Sequence, residues 1–299
     1  MVKEKILPFA EPWLLAMRPK TLPAAISPVL VGAAISISIG RFHLGPALAA
    51  MFGAVMIQIG VNFANDVADF EKGADDETRL GPTRVTQAGL LTPGQVWGGV
   101  WTSFGFATLA GIYLATLAGW PVVIIGLASL TAALLYTSGP FPLAYNGLGD
   151  LFVFIFFGLV AVAGTTYVIT LSIPSAVWPA ACGIGALTTA ILVVNNIRDL
   201  ESDKKAGRKN IPIILGRSAG EVEYNSLLFV AYMSPVYLFF SNYSSPWILL
   251  PLLTIPRAVY LARSLHTLPL GPSLNLILAK TAQLLFLYSL LMAMGLILI

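Results

Sequence analysis

Asn65-Asp66-Val67-Ala68-Asp69-Phe70-Glu71-Lys72-Gly73-Ala74-Asp75 closes an apolar run that opens near Pro46. A second stretch, Asn195-Asn196-Ile197-Arg198-Asp199-Leu200-Glu201-Ser202-Asp203, closes another. Laid one over the other, Asn65 falls on Asn195, Asp69 on Asp199, Glu71 on Glu201 and Gly73 on Asp203. Residues four apart on a helix share a face. Asn65, Asp69 and Gly73 therefore form one row, and Asn195, Asp199 and Asp203 form another. Asp66 flanks the first row and Asp75 follows it. Ionisable groups at the edge of an apolar span are costly and point to function.

The surrounding sequence fixes the solvent. Of 299 residues, 57% are hydrophobic and only 10% charged, with a mean hydropathy of +0.82. Soluble domains carry about 25% charged residues, so a water-facing fold is excluded. Apolar runs long enough to cross a bilayer, about 20 residues each, recur at 22–40, 46–65, 96–118, 121–137, 149–170, 176–196, 222–241, 246–262 and 276–298. The expectation is an all-α integral membrane protein, a single domain over 1–299 with about nine transmembrane helices. The acidic stretches follow the second helix of helices 1–4 and of helices 5–8, which reads as a parallel repeat with a ninth helix left over. Pro28, Pro235, Pro251 and Pro256 fall inside spans and predict kinks. Residues 6–17 read as a helix lying on the membrane surface, and Pro8 and Pro12 argue against a cleavable signal peptide. The single cysteine, Cys182, excludes an intrachain disulfide.

Orientation follows from the 17 basic residues. All but Arg41 and Lys280 fall on one side of this topology. The positive-inside rule puts the N-terminus and both acidic stretches in the cytoplasm, with the C-terminus outside a cell membrane. A third connection on the same side, from Tyr136 to Asp150, has no basic residue and is rich in Gly, Pro and Tyr. Such a loop is expected to fold back over something rather than face free cytoplasm.

Oxygen donors on one helical face, without His or Cys, suit a hard cation. Mg²⁺ takes few carboxylates and completes its shell with water and substrate phosphate. Two rows on opposing helices can hold two such ions with a diphosphate between them. Lys72, Arg84, Arg198, Lys204, Arg208 and Lys209 share the same loops and supply donors for the remaining phosphate oxygens. The plainer alternative is that the acids pair with neighbouring cations at helix ends; two clusters in one Asn-x-x-x-Asp frame argue against it. Arg18 and Lys20 enter the first span, where they either snorkel to headgroups or face inward toward an acceptor carboxylate. Phe152, Phe154, Phe156 and Phe157 are expected mostly against lipid or neighbouring helices, with a minority lining a channel. Transporters place their sites near the bilayer midplane, whereas these acids crowd one boundary beside arginines. No phosphate loop, dinucleotide glycine pattern, Ser-His-Asp set or zinc spacing occurs, and no nucleic-acid partner is expected.

Five segments carry a family resemblance: Arg18-Pro-Lys-Thr-Leu-Pro, Asn62-Phe-Ala-Asn-Asp-x-x-Asp-x-x-Lys-Gly-x-Asp75, Arg79-Leu-Gly-Pro-x-Arg84-x-x-Gln87-x-Gly89, Tyr145-x-Gly-Leu-Gly-Asp150 and Asn195-Asn-x-Arg-Asp-x-x-x-Asp203-x-x-x-Gly207. Together they resemble the UbiA superfamily of intramembrane prenyltransferases, and within it the MenA group that prenylates 1,4-dihydroxy-2-naphthoate in menaquinone synthesis. The resemblance implies a helical bundle around a central chamber open to lipid. It implies metal ligands at Asn65, Asp69, Asp199 and Asp203, supported by Asp66 and Asp75, holding Mg²⁺, with a polyprenyl diphosphate and an aromatic acid as substrates. Arg18, Lys20, Tyr136, Tyr145, Asp150 and Asn195 are the candidates near the acceptor or the allylic cation. Runner-up acceptors are 4-hydroxybenzoate and homogentisate. One departure is visible: after Gly207 the family has a basic residue and then Thr, where this chain reads Arg208-Lys209-Asn210. The decisive geometric expectation is that the two rows face each other across one cavity at the inner membrane boundary.

Overall fold

The computed structural model describes residues 10–73, 81, 83–137, 142–241, 243 and 245–299. Among them there is no strand. The helices are α1 Ala10–Met17, α2 Pro23–Ser38, α3 Leu44–Glu71, α4 Pro93–Ala118, α5 Trp120–Thr137, α6 Gly149–Val153, α7 Ala161–Thr170, α8 Val177–Arg198, α9 Leu200–Lys205, α10 Ile211–Leu215, α11 Arg217–Phe240, α12 Ile255–Thr267 and α13 Leu274–Ile297. A π-helical segment, Phe154–Val160, joins α6 to α7, and a 3₁₀ segment, Pro246–Thr254, leads into α12.

Each expected span coincides with a helical segment. Six described helices are long and apolar enough to cross a bilayer, and α1 with α2 makes a seventh if the pair, bent by 52°, counts as one crossing. The protein is an integral membrane protein, and the full count of nine crossings stays a sequence expectation. Arg18, between α1 and the 3₁₀ turn Pro19–Thr21 that leads into α2, holds a left-handed backbone with φ of 51° although it is not a glycine. Strain of this kind collects at functional sites. Of the surface helix expected over 6–17, α1 covers 10–17; Ile6, Leu7 and Phe9 lie outside the described residues. Local signals set the other ends. Thr92 and Gln95 cap α4 reciprocally, with Pro93 at its first position. Pro256 stands inside the candidate span Pro246–Thr267, at the first turn of α12 where the 3₁₀ segment passes into α-helix.

Two larger packed cores divide the bundle, with a smaller third one joining α3, α4, α5 and α7. One surrounds α8, the most heavily buried span, with α2, α7, α11, α12 and α13. The other joins α1, α3, α4 and α5. Where the π-helical segment crosses α8, a Cβ on Gly158 would stand 2.6 Å from the Cα of Gly185, so the two backbones touch. A π turn bonds i to i+5, which brings residues five apart onto one face. Phe152, Phe156 and Phe157 accordingly all line an interior chamber, with Phe152 and Phe156 stacked at 5.7 Å. Only Phe154 packs into the α8 core. The expectation that most of these rings face lipid or other helices is corrected by that π register.

Candidate active site

Two chambers lie between the cores. The inner one, of about 690 Å³, is lined by Asn65, Asp69, Asn195, Asp199 and Asp203 together with Lys72, Arg84 and Arg208. The other, of about 810 Å³, is almost wholly apolar and runs between α2, α3, α4, α5 and α7. Gln58, Asn62, Asn65, Tyr136, Val153 and Phe157 line both, so the chambers are continuous.

The first row hangs from the last turns of α3. Asp69, 2% exposed, accepts from Arg84 Nη2 at 2.5 Å and from Arg208 Nη2 at 3.0 Å. The second row sits where α8 passes into α9. Asp199 receives the Arg198 guanidinium through Nε at 2.8 Å and through Nη2. Asn195 Oδ1 accepts from Arg198 Nη2 at 2.7 Å. Asp203 faces Arg208 Nη1 at 3.3 Å. One guanidinium, that of Arg208, thus touches Asp69 with one nitrogen and Asp203 with the other. The two rows stand a single guanidinium apart across the inner chamber.

The loop without basic residues closes over this pair. Tyr145 lies with its ring 4.8 Å below Lys72 Nζ and 4.7 Å from the Arg208 guanidinium carbon. Its hydroxyl accepts from Arg208 at 3.3 Å and approaches Asp69 at 3.5 Å. Lys209 N donates to Tyr145 O at 3.2 Å, tying that loop to the one after α9. Burial would by itself weaken the Arg208 charge, but Asp69 and Asp203 outweigh it and hold the group firmly protonated. Burial pushes the Asp203 carboxyl up to about 6; Arg208 opposes this, while Asp199 and Asp69 add to it. Burial also raises the Tyr145 hydroxyl and lowers Lys72, the latter against the pull of Asp69.

The donor set fits a hard cation: amide and carboxylate oxygens from both rows, with no His or Cys lining the chamber. Among the described residues no three His, Cys, Asp or Glu side chains close into a cage. A cation here must complete its shell with water and phosphate, as Mg²⁺ does.

The family model described as the UbiA prenyltransferase family matches residues 25–290. The chain belongs to the UbiA prenyltransferase family. Its enzymes are transferases. The chain is 37% identical over 247 residues to the 1,4-dihydroxy-2-naphthoate octaprenyltransferase of Mycobacterium tuberculosis, covering 83% of each. It is 35% identical over 277 residues to the Escherichia coli protein of the same name, covering 88% of this chain and 89% of that one. A solved structure of a UbiA homolog from Archaeoglobus fulgidus, bound to DMAPP and Mg²⁺, superposes with a TM-score of 0.65 over 96% of this chain and 99% of that one. At 18% identity it shows the shared fold.

Within this UbiA chamber the motif residues take different places. Asn65, Asp69, Asn195, Asp199, Asp203, Lys72, Arg84, Arg208, Lys209, Arg18, Tyr136, Tyr145 and Asp150 all line it. Asp75 lies outside the described residues. Asp66 does not join the metal face. It is fully buried, and its carboxylate accepts from the backbone N–H of Val85 at 3.1 Å and of Thr86 at 3.0 Å, with Arg18 at 3.9 Å. One residue along a helix is a turn of about 100°, which aims Asp66 away from Asn65 toward the 83–91 loop. It pins that loop so that Arg84 reaches Asp69. Asp66→Ala is expected to lose about 3 kcal/mol or more of stability, because two buried amides and a buried cation lose their acceptor; a thermal melt in detergent measures it.

Three expected contacts are likewise corrected. Arg198, 2% exposed, lies behind the second row, where it binds Asn195, Asp199 and, at 2.9 Å, Asn275 of α13. Its fork is used up holding ligands in place and does not face the chamber. Lys20 and Lys204 are exposed and do not line the chamber; Lys205, one residue on from Lys204, does. Gln58 and Asn62 are wall residues that the acidic motif alone does not mark; they continue the α3 face of Asn65 and Asp69 at alternating steps of four and three residues. Asn62 donates to Met17 O at 2.8 Å and Thr21 Oγ1 at 2.9 Å, which anchors the α1–α2 bend to α3. Asn196 donates to Asp150 at 3.3 Å and holds that carboxylate at the chamber wall.

Proposed function

We propose that this protein transfers a polyprenyl group from an allylic polyprenyl diphosphate to 1,4-dihydroxy-2-naphthoate, with loss of CO₂, in the inner half of the cell membrane. The observation that carries the reading is the joining of a charged chamber to an apolar one through Asn65, Tyr136 and Phe157. A prenyl diphosphate has the same division, a charged head on a long apolar tail. The acceptor is read from relatives 37% and 35% identical over most of the chain, both 1,4-dihydroxy-2-naphthoate octaprenyltransferases.

Asn65, Asp69, Asn195, Asp199 and Asp203 would hold Mg²⁺, which when bound neutralises the diphosphate as it leaves. Two such ions would divide the oxygen donors of the two rows between them. Arg84, Arg208, Lys72 and Lys209 take the remaining phosphate oxygens by charge-assisted hydrogen bonds. These groups stabilise the departing diphosphate more than the intact ester, which lowers the barrier to C–O cleavage. The faces of Tyr145, Tyr136 and Phe157 shield the allylic cation, and the apolar walls keep water from it. Arg18, at the chamber edge, orients the acceptor carboxylate. As the ring carbon bonds to the allylic carbon, the carboxylate leaves as CO₂ and its bonding pair restores aromaticity, so no base is needed to remove a ring proton. The basic bias of the connecting loops supports a site on the cytoplasmic side.

Purified protein given labelled prenyl diphosphate and dihydroxynaphthoate is expected to release diphosphate and CO₂ in equal amounts, and only with Mg²⁺ present. Turnover that persists in excess chelator would remove the metal from the reading. A panel with 4-hydroxybenzoate and homogentisate tests the acceptor: faster turnover of either displaces dihydroxynaphthoate.

A further inference from the structure

From Tyr224 to Ile299 the chain contains no Asp or Glu, yet it carries Arg257, Arg263 and Lys280. Arg257 and Lys280 lie within the last two candidate spans, Pro246–Thr267 and Leu274–Ile297. Each reaches across the seam between α12 and α13 on the exposed side of these helices. Lys280 Nζ stands 4.9 Å from the centre of the Tyr260 ring and 3.4 Å from its hydroxyl. Arg257 Nη2 donates to Gln283 Oε1 at 2.5 Å. Both contacts are exposed, and both partners are neutral. Among the described residues, the ion pairs at this end of the bundle are Arg217–Glu221 and His266–Glu221. Neither reaches the seam.

Helical spacing makes the seam continuous. Arg257, Tyr260 and Ser264 follow one another at i, i+3 and i+7 on α12, opposite its buried face of Ala258, Leu261 and Leu265. Lys280 and Gln283 follow at i and i+3 on α13. Depth follows from the helix rise. Lys280 lies about 9 Å along α13 from Leu274 at 1.5 Å per residue, and a lysine stem leans toward its helix N-terminus. The ammonium therefore reaches headgroup level by snorkelling. Leu276, Phe286 and Leu287 beside it are exposed and apolar.

Two cations set beside neutral partners along one lipid-facing seam repel each other unless an anion joins them. The described residues supply none here, while the leaflet does. We infer that the α12–α13 seam binds the phosphodiester of an anionic phospholipid, its oxygens meeting Lys280, Tyr260 and Arg257, with Arg263 at the mouth. The acyl chains lie along Leu276, Phe286 and Leu287. The prenyl diphosphate is not the occupant: the seam has no carboxylate to hold a metal beside it. Leu278 marks the face that α13 turns to the catalytic chamber, and Lys280 and Gln283 lie on another.

The test is native mass spectrometry of the purified chain with phosphatidylglycerol or phosphatidylcholine added. Wild type is expected to retain phosphatidylglycerol at least about tenfold better, since each basic residue near an anionic headgroup is worth about fivefold. Arg257→Gln with Lys280→Gln should lose about thirtyfold in that retention, and Arg257→Lys with Lys280→Arg should keep it. Should the double glutamine variant not fold, Lys280→Gln alone decides, with about a fivefold loss expected. Equal retention of the two lipids, or unchanged retention in the glutamine variants, overturns the assignment. Release of bound phosphatidylglycerol by added geranyl diphosphate would give the seam to the substrate and overturn it as well.

Discussion

Asp69→Asn is expected to lower kcat by about 10³-fold or more and to destabilise the protein as well. The activity loss follows from removing a charged ligand from the face where negative charge must be absorbed as diphosphate leaves, a contribution of several kcal/mol. The stability loss follows from what Asp69 touches. It is nearly buried between Arg84 at 2.5 Å and Arg208 at 3.0 Å. Breaking a buried ion pair by neutralising one partner costs about 3–5 kcal/mol. Steady-state turnover and a thermal melt on the same preparation read the two effects. Asp199→Asn should match the activity loss with a smaller shift in melting, because Asn195 and Asn275 still hold Arg198. Wild-type turnover in both variants would show that the acids serve only the fold.

Arg208→Gln is expected to cut kcat/KM for the prenyl diphosphate by about 10²–10³-fold, the loss of two charge-assisted hydrogen bonds at about 1.5–3 kcal/mol each. The same substitution makes a second, opposite prediction. Without a ligand, Arg208 stands between Asp69 and Asp203, where its charge does what a bound cation would do. A cation entering that space must displace it. In Arg208→Gln the Asp203 carboxylate loses this cation and Asp69 is left with Arg84, so added Mg²⁺ should raise the melting temperature more in the variant than in wild type. Arg208→Lys should behave in between, since a point charge cannot reach both rows at once. An equal Mg²⁺ shift in all three proteins would show that Arg208 does not stand where the cation binds.

The departure noted after Gly207 acquires a meaning from this geometry. Asn210 caps α10 through Ile213 N at 2.9 Å, so it holds the end of the loop that carries Arg208 and Lys209. The position that departs from the family pattern is Lys209, which lines the charged chamber and donates its backbone N–H to Tyr145 O at 3.2 Å.

Hydropathy and helical period by themselves determined that this is an all-helical membrane protein, where its helical segments fall, and that Asn65 with Asp69 and Asn195 with Asp199 share faces at one boundary. Both signals are local: bilayer thickness sets run length, and 3.6 residues per turn sets the face. What lies across from a face is not local. Only the packing of the α8 core against the α3–α5 core brought the rows within one guanidinium of each other. Only that packing turned Asp66 to the Val85 and Thr86 amides, put Arg198 behind its ligands instead of before them, and, through the π turn, swung Phe152, Phe156 and Phe157 into the chamber. Arg198 and Arg208 read alike in sequence, as cations beside acids. Their roles divide because one is walled in by α13 and the other reaches across the gap between the two cores.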